Sequence, residues 1–330
     1  MSQNPKQVQQ TVERAAQDGV LRAILGPTAS GKTALAVAVC AELGEEPNSV
    51  SGEVLSLDSM LVYRGLDIGT AKPSKEERKG IEHHLIDVAD PTEAYDVTRY
   101  LEDTRIAEDA IQERGSIGIF AGGTSFYLKA LLFGLFSGPD VDPELRASIE
   151  QRYDSEGAET THAALAQIDP VLGARVHAND KKRVVRGLEV FEQTGVALGE
   201  LQRQWESSPR VARLVGLEVP TAGLDLKILE RTRTMFAMGW PEEAERIRRE
   251  GGFGRTSAQA LGYRDVLRFV DGELTRDDAI AEIALRTRQF SRRQRTWLRG
   301  FPDVRWFPAP QTNKDLKALA PEVLGWLIDK

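Results

Sequence analysis

Eight consecutive residues constrain this chain more than any other feature. Gly26-Pro27-Thr28-Ala29-Ser30-Gly31-Lys32-Thr33 matches GxxxxGK[ST] at every fixed position. Glycines let backbone N–H groups close around phosphate oxygens without a Cβ in the way. Such a loop works between a strand and a helix whose positive dipole end faces the anion. Both flanks are present. Apolar Leu21-Arg22-Ala23-Ile24-Leu25 precedes the loop, and the Ala-rich run from Gly31 to Leu43 follows it, with Gly44 placed as a C-cap. Lys32 adds a full charge, and the Thr33 hydroxyl suits the Mg²⁺ that travels with a polyphosphate. The loop therefore specifies polyphosphate, not which one. It leaves open a kinase or NTPase and an enzyme for which pyrophosphate is the leaving group.

Further strands are predicted at Glu53–Leu57, His84–Val88 and Ser116–Ala121, separated by helix-compatible stretches such as Val97–Glu113. That alternation predicts a parallel sheet covered on both faces, with the first βα turn as the ligand site. From about Asp142 the sequence turns charged and strand-poor with helical spacing; a strand at Arg213–Val219 and then helices complete it. The expected fold class is α/β: a P-loop NTPase-like parallel sheet core flanked by helices, with an all-helical insertion domain. The expected division is a flexible polar lead over 1–18, core over 19–141, insertion over 142–205, and a return to core with a C-terminal helical portion over 206–330.

The 330 residues are 41% hydrophobic and 28% charged, a globular balance, and no apolar run reaches the roughly 18 residues of a membrane span. The start, MSQNPKQVQQ, lacks the apolar stretch of a signal peptide. The single cysteine, Cys40, excludes an internal disulfide and any Cys-rich metal site. A reducing cytoplasm and a monomer are expected. Adjacent His83-His84 is poor geometry for one metal, and both are expected to be structural. A net charge of −7 counts, on average, against nucleic acid.

Asp58 lies at the C-terminal end of Glu53–Leu57, beside the phosphate loop if the sheet is parallel. A carboxylate there can act as a general base or help hold Mg²⁺; alternatively Asp58 or Ser59 caps a helix. The continuation Asp58-Ser59-Met60-Leu61-Val62-Tyr63-Arg64-Gly65-Leu66-Asp67-Ile68-Gly69-Thr70-Ala71-Lys72-Pro73, together with GPTASGKT, resembles the tRNA dimethylallyltransferase (tRNA isopentenyl transferase) family. His83–Val88 followed by Asp90-Pro91 is similar to that family's HHLID…DP stretch. Gly122-Gly123-Thr124 with Tyr127 is similar to its GGTGLY. Asn179-Asp180 with Arg183 and Arg186–Val190 resembles its helical insertion, Leu261-Gly262-Tyr263-Arg264 its GYR, and Thr287–Arg299 its TRxxxKRQxTW region. The series runs in order from residue 26 to 299. Ser125-Phe126 depart from the pattern, which narrows the expected space at Thr124. Lys227 stands where the family more often has Arg. With one cysteine, the zinc-finger extension of eukaryotic members is not expected.

The resemblance implies transfer of a dimethylallyl group from dimethylallyl diphosphate to N6 of the adenine just 3′ of a tRNA anticodon, with release of diphosphate. It implies Asp58 as the base, Thr124 as a hydrogen-bonding group, and Arg231 as a donor to the diphosphate beside the loop from Gly26 to Thr33. Lys227, one helical turn before Arg231, is expected to face the same way. Mg²⁺ is the implied cofactor, on Thr33 and Asp58. An extruded base needs a channel with the RNA gripped outside it. Arg286, Arg288, Arg292, Arg293, Arg295 and Arg299 fall within 14 acid-free residues beside Trp297, so local charge overrules the average. The tRNA contacts implied are Asp58, Ser59, Met60, Leu61 and Thr124 near the base; Asp142, Lys182, Arg183, Val184, Val185 and Arg186 on an insertion clamping the anticodon stem-loop; and Gly262, Tyr263, Arg264, Arg288, Arg292, Arg293, Gln294 and Trp297. The nearest rival is an adenylate isopentenyltransferase, which needs neither insertion nor arginine cluster. A P-loop nucleotide kinase is the rival of another class.

Overall fold

The computed structural model describes residues 5–45, 49–135, 138–203, 210–220 and 223–328. The first compact unit comprises residues 1–131 and 210–330, the second residues 132–209. In the first, α1 (Pro5–Ala15) leads to β1 (Leu21–Leu25), α2 (Lys32–Gly44) and β2 (Gly52–Leu57). The one-turn α3 (Lys75–Arg78), β3 (His83–His84), α4 (Val97–Glu113), β4 (Ile117–Gly122) and α5 (Ser125–Phe133) follow. Local chemistry sets the helix starts. The Asp96 carboxylate accepts from the N–H groups of Thr98 and Arg99 to open α4, and Ser74 with Glu77 forms a capping box on α3.

The second unit is all-helical among its described residues: α6 (Pro143–Glu156), α7 (Ala158–Ile168), α8 (Pro170–Arg175), α9 (Lys181–Thr194) and α10 (Leu198–Leu201). They close over Ile149, Tyr153, Leu165, Leu172, Val184, Val185 and Leu188. Asp142 is the N-cap of α6. The expected limits at 205 and 206 lie outside the described residues. The chain returns to the first unit through β5 (Ala212–Glu218), α11 (Leu224–Ala237), α12 (Trp240–Arg249), α13 (Tyr263–Val270), α14 (Arg276–Leu298), β6 (Val304–Pro308) and α15 (Asn313–Ile328).

The six strands form one sheet in the order β3-β2-β4-β1-β5-β6, every pair parallel. β1 and β2 are buried throughout, as strands covered on both faces must be. Leu25 and Leu57 both pair with Gly122, so β1, β2 and β4 end flush. The three loops that leave those ends are brought side by side. Only glycine fits at 122, where a Cβ would come within 2.0 Å of the Leu57 carbonyl oxygen. No helix among the described residues is long and apolar enough to cross a membrane.

Two expectations are corrected and one is refined. The described part of the N-terminal lead, expected to be flexible or weakly helical, is helix α1, with Val12 and Ala15 buried in the main core. The strand expected over His84–Val88 stops at His84, because Leu85 and Asp87 adopt left-handed φ of 62° and 59° and cannot continue a ladder. The edge strand β6 was not expected at all; only Phe307 of its five residues is buried, and Arg305 and Trp306 disguise it.

Candidate active site

The phosphate loop leaves β1 through Gly26, whose N–H donates to the Gly122 carbonyl at 3.2 Å. A Cβ there would lie 2.4 Å from Ser30 Oγ, so the tight return needs glycine. Ala29 (φ 63°) and Gly31 (φ 78°) are both left-handed. Such alternation gathers N–H groups into an anion-binding concavity. α2 begins at Lys32 with Gly31 as its N-cap and no side chain capping its first turn. Its orphan N–H groups face the position an anion would take.

Lys32 is held well below the usual lysine range, at a pKa of about 8. Burial of the ammonium is the main cause; Asp58 opposes it and Arg231 adds to it. Among the described residues it donates to the Pro27 carbonyl, a long contact at 3.4 Å. Arg231, on α11, is also pushed down by burial, against the attraction of Glu77 and Asp58. Lys32, Asp58 and Arg231 therefore share one field at the strand ends: two cations and one carboxylate.

Asp58 caps no helix. Its Oδ1 accepts from the Met60 N–H at 2.8 Å, closing a turn that aims the carboxylate. The Thr124 hydroxyl accepts from the Ser59 N–H at 3.2 Å, which leaves its proton for another partner. Gly123 and Thr124 both donate their N–H groups to the Leu57 carbonyl at 3.2 Å. Behind this segment Tyr100 and Tyr127 stack at 4.0 Å, and the Tyr100 hydroxyl donates to the Ser56 carbonyl at 3.0 Å. Of the two departures from the expected pattern, Ser125 is half-buried and Phe126 is 48% exposed.

The segment running on from Leu61 is docked from below by residues that carried no signal of their own. Glu243 on α12 accepts from the N–H groups of Asp67 (3.0 Å), Ile68 (2.8 Å) and Gly69 (3.2 Å) and from the Tyr263 hydroxyl (2.6 Å). The Lys72 ammonium is buried between Asp67, at 2.7 Å, and Asp87, and donates to the Tyr63 carbonyl. Glu243 reads as one more acid in the charged run WPEEAERIRR, which is why sequence reasoning passed over it.

Several residues expected at an RNA surface are placed elsewhere. Tyr263 is 2% exposed, packed against Trp240, its hydroxyl committed to Glu243. Gly262 is buried with φ 92°, and a Cβ there would strike Trp240 at 2.4 Å. Val184 and Val185 are core of the second unit. Arg186 donates to the fully buried Glu189 (2.9 Å) and to the Pro139 carbonyl (2.8 Å); Asp142 stays exposed, with only its backbone N–H given to Glu189. Gln294 is 7% exposed, with both amide ends bound to loops of the site. Lys227 is exposed and binds Gln311 instead of joining Arg231. That contact holds the turn after β6, whose Pro310 Cγ lies 3.5 Å from where a Gly31 Cβ would be. Arg264, Arg292, Arg293 and Trp297 (45%) are exposed, as are Lys182 and Arg183 on α9. Arg288, half-buried, reaches Asp225 at 3.7 Å.

A parallel sheet with a phosphate loop on a central strand, a hydroxyl at the end of the neighbouring β4 and an acid at the end of β2 beyond it, defines a P-loop α/β enzyme. The profile of the IPP transferase family matches residues 61–301. The chain is 42% identical over 288 residues to the tRNA dimethylallyltransferase of Methylococcus capsulatus, covering 86% of this chain and 90% of that protein. It is 41% identical over 309 residues to the enzyme of the same name from Kineococcus radiotolerans, covering 93% and 96%. Its fold is similar to a crystal structure of the tRNA isopentenylpyrophosphate transferase of Bacillus halodurans, with TM-score 0.67, 34% identity and coverage of 94% and 97%. A eukaryotic dimethylallyltransferase acting on tRNA aligns at TM-score 0.74 and 25% identity, over 92% of this chain and 77% of that one. The chain belongs to the IPP transferase family.

Proposed function

We propose that this chain is a tRNA dimethylallyltransferase, transferring a dimethylallyl group from its diphosphate to N6 of the adenine 3′-adjacent to the anticodon. The observation that carries the reading is the joint placement of Lys32 and Asp58 beyond the flush ends of β1 and β2, within one field with Arg231 of α11. Relatives named for this activity, similar over nearly the whole chain, support it.

In the reaction the N6–C1 bond forms as the allylic C1–O bond breaks, and the electron pair leaves with the diphosphate oxygen. Charge developing there is met by Lys32, Arg231 and the N–H groups at the start of α2, fixed before the reaction begins. The adenine amine is a poor nucleophile until its proton is taken, and Asp58 takes it as the bond forms. The Thr124 hydroxyl has a proton to donate to the base or to a phosphate oxygen. Thr33 at the first turn of α2, with Asp58 as the carboxylate sharing Lys32's field, is an open donor set of two oxygens. That fits Mg²⁺, which takes few protein ligands and completes its shell with phosphate and water. When bound, the ion would neutralise diphosphate charge. The exposed arginines of α14 grip the RNA backbone, and Lys182 and Arg183 of the helical unit bind the anticodon stem-loop. The enzyme works as a monomer in the cytoplasm.

Purified protein incubated with Mg²⁺, labelled dimethylallyl diphosphate and unmodified tRNA should label the tRNA, with AMP in a parallel tube left unlabelled. Asp58→Ala should lower single-turnover transfer by about 10²–10⁴-fold. Label in AMP alone would move the acceptor to a free nucleotide, and ATP hydrolysis without transfer would return the loop to kinase chemistry.

A further inference from the structure

We propose that Gln294 is a positioning residue for the diphosphate, a rigid strut from α14 that fixes the spacing between the phosphate loop and the turn carrying Thr124; this rests on the transferase reading. Its Oε1 accepts from the Thr28 N–H at 3.0 Å and its Nε2 donates to the Gly123 carbonyl at 3.1 Å. One buried amide thus joins two loops that lie 266 and 171 residues away in sequence. A Cβ on Gly123 would sit 2.5 Å from Nε2 and 2.7 Å from the Gly26 carbonyl, so glycine there is what lets the strut close. From Gly123 the connection runs on in single steps. Gly123 and Thr124 bind the Leu57 carbonyl, and the Thr124 hydroxyl holds the Ser59 N–H, with Asp58 between.

The strut also decides which donors remain for substrate. The Thr28 N–H is given to Gln294 and the Ser30 N–H to the Pro27 carbonyl at 3.3 Å. The diphosphate is therefore met by the donors that remain, the Ala29 N–H and the helix end from Gly31 onward, and the position of that end relative to Asp58 passes through Gln294. The neighbouring residues of α14 present arginines outward, and the sequence alone groups Gln294 with them. Its burial and its two backbone partners assign it to the other substrate.

The test uses the full chain with Gln294→Ala and the isosteric Gln294→Glu, which keeps the acceptor for Thr28 but loses the donor to Gly123. Calorimetric binding of inorganic diphosphate without tRNA should weaken about tenfold in Gln294→Glu, the size of one lost hydrogen bond, and further in Gln294→Ala, which loses both. KM for dimethylallyl diphosphate should rise by a similar factor, kcat should fall, and KM for tRNA should stay within about twofold, a split that a general packing defect would not give. In Gln294→Glu the diphosphate defect, taken as a ratio to wild type, should shrink as pH falls and the carboxyl regains a proton to donate to Gly123. A raised KM for tRNA with diphosphate binding unchanged would make Gln294 an RNA contact, and a lowered melting temperature with neither KM changed would reduce it to packing. If wild type fails to label tRNA, the transferase reading falls while the diphosphate titration still judges the strut.

Discussion

Glu243 and Lys32 are both charged groups inside the first unit, and their surroundings are opposite. Glu243 has three backbone N–H groups and a phenol around one carboxylate, so its charge is spent on holding the 67–69 segment. Lys32 has one long contact, no ion pair among the described residues, and a second cation near it. Glu53 repeats the first pattern: burial alone would raise it, yet hydrogen bonds from Arg114, His84 and Ser116 hold it down to about 2. A buried charge whose partners are all supplied by the protein is structure. A buried cation kept short of partners is a place reserved for an anion that arrives from outside.

If that contrast is right, Lys32 costs stability and serves catalysis. Lys32→Met should lower kcat/KM for dimethylallyl diphosphate by about 10²–10³-fold, the scale of removing one preorganised donor to a developing oxyanion. The same variant should melt higher than wild type at pH 7. Its advantage should shrink as pH rises from about 8 toward the ordinary value of 10.5, because over that range the unfolded chain holds the Lys32 proton and the folded one releases it. In wild type, kcat/KM for the diphosphate substrate should fall as pH passes about 8, where the free enzyme loses this charge. Lys32→Arg, which cannot titrate there, should abolish that limb. A lysine variant that melted lower than wild type at neutral pH would break the comparison.

Glu243 should behave the other way, losing stability first. Glu243→Ala strands three backbone N–H groups and a phenol, and should cost on the order of 3 kcal/mol in denaturant unfolding. Tyr263→Phe removes one of the four contacts and should cost about 1 kcal/mol, with KM for tRNA unchanged once the fraction folded is accounted for. A phenol that touched RNA would give the reverse: a higher KM at full stability.

The parts legible in the sequence are those whose chemistry is local. The phosphate loop needs its glycines, lysine and threonine within eight residues, and Asp58 is found by counting to the end of an apolar strand. The direction of a side chain is not local. Tyr263 and Gln294 sit in recognisable motifs, but the motif gives a neighbourhood, and only packing decides that one faces Trp240 and the other Thr28. Val184 and Val185 lie among basic residues on α9, and the charges drew attention from the apolar face that closes the insertion. The bend at Leu85 and Asp87 is held by Lys72, which no pattern within His83–Val88 reveals.

On the proposed function the exposed arginines offer the mildest test, because each would be one contact among several to a polyanion. Arg293→Ala should raise KM for tRNA severalfold, leave KM for dimethylallyl diphosphate alone, and reduce the slope of log affinity against log salt by about one. Arg183→Ala should do less. Its guanidinium already lies 2.8 Å from the Asp180 carboxylate at the start of α9, so a phosphate there must compete with a charge the protein supplies. Ranked by effect on tRNA, Arg293 above Arg183 would extend to the surface the rule drawn from Lys32 and Glu243: the charge left short of partners is the one that binds. The reverse order would confine that rule to the interior, where desolvation makes an unpaired charge expensive, and would say that on the surface position alone decides.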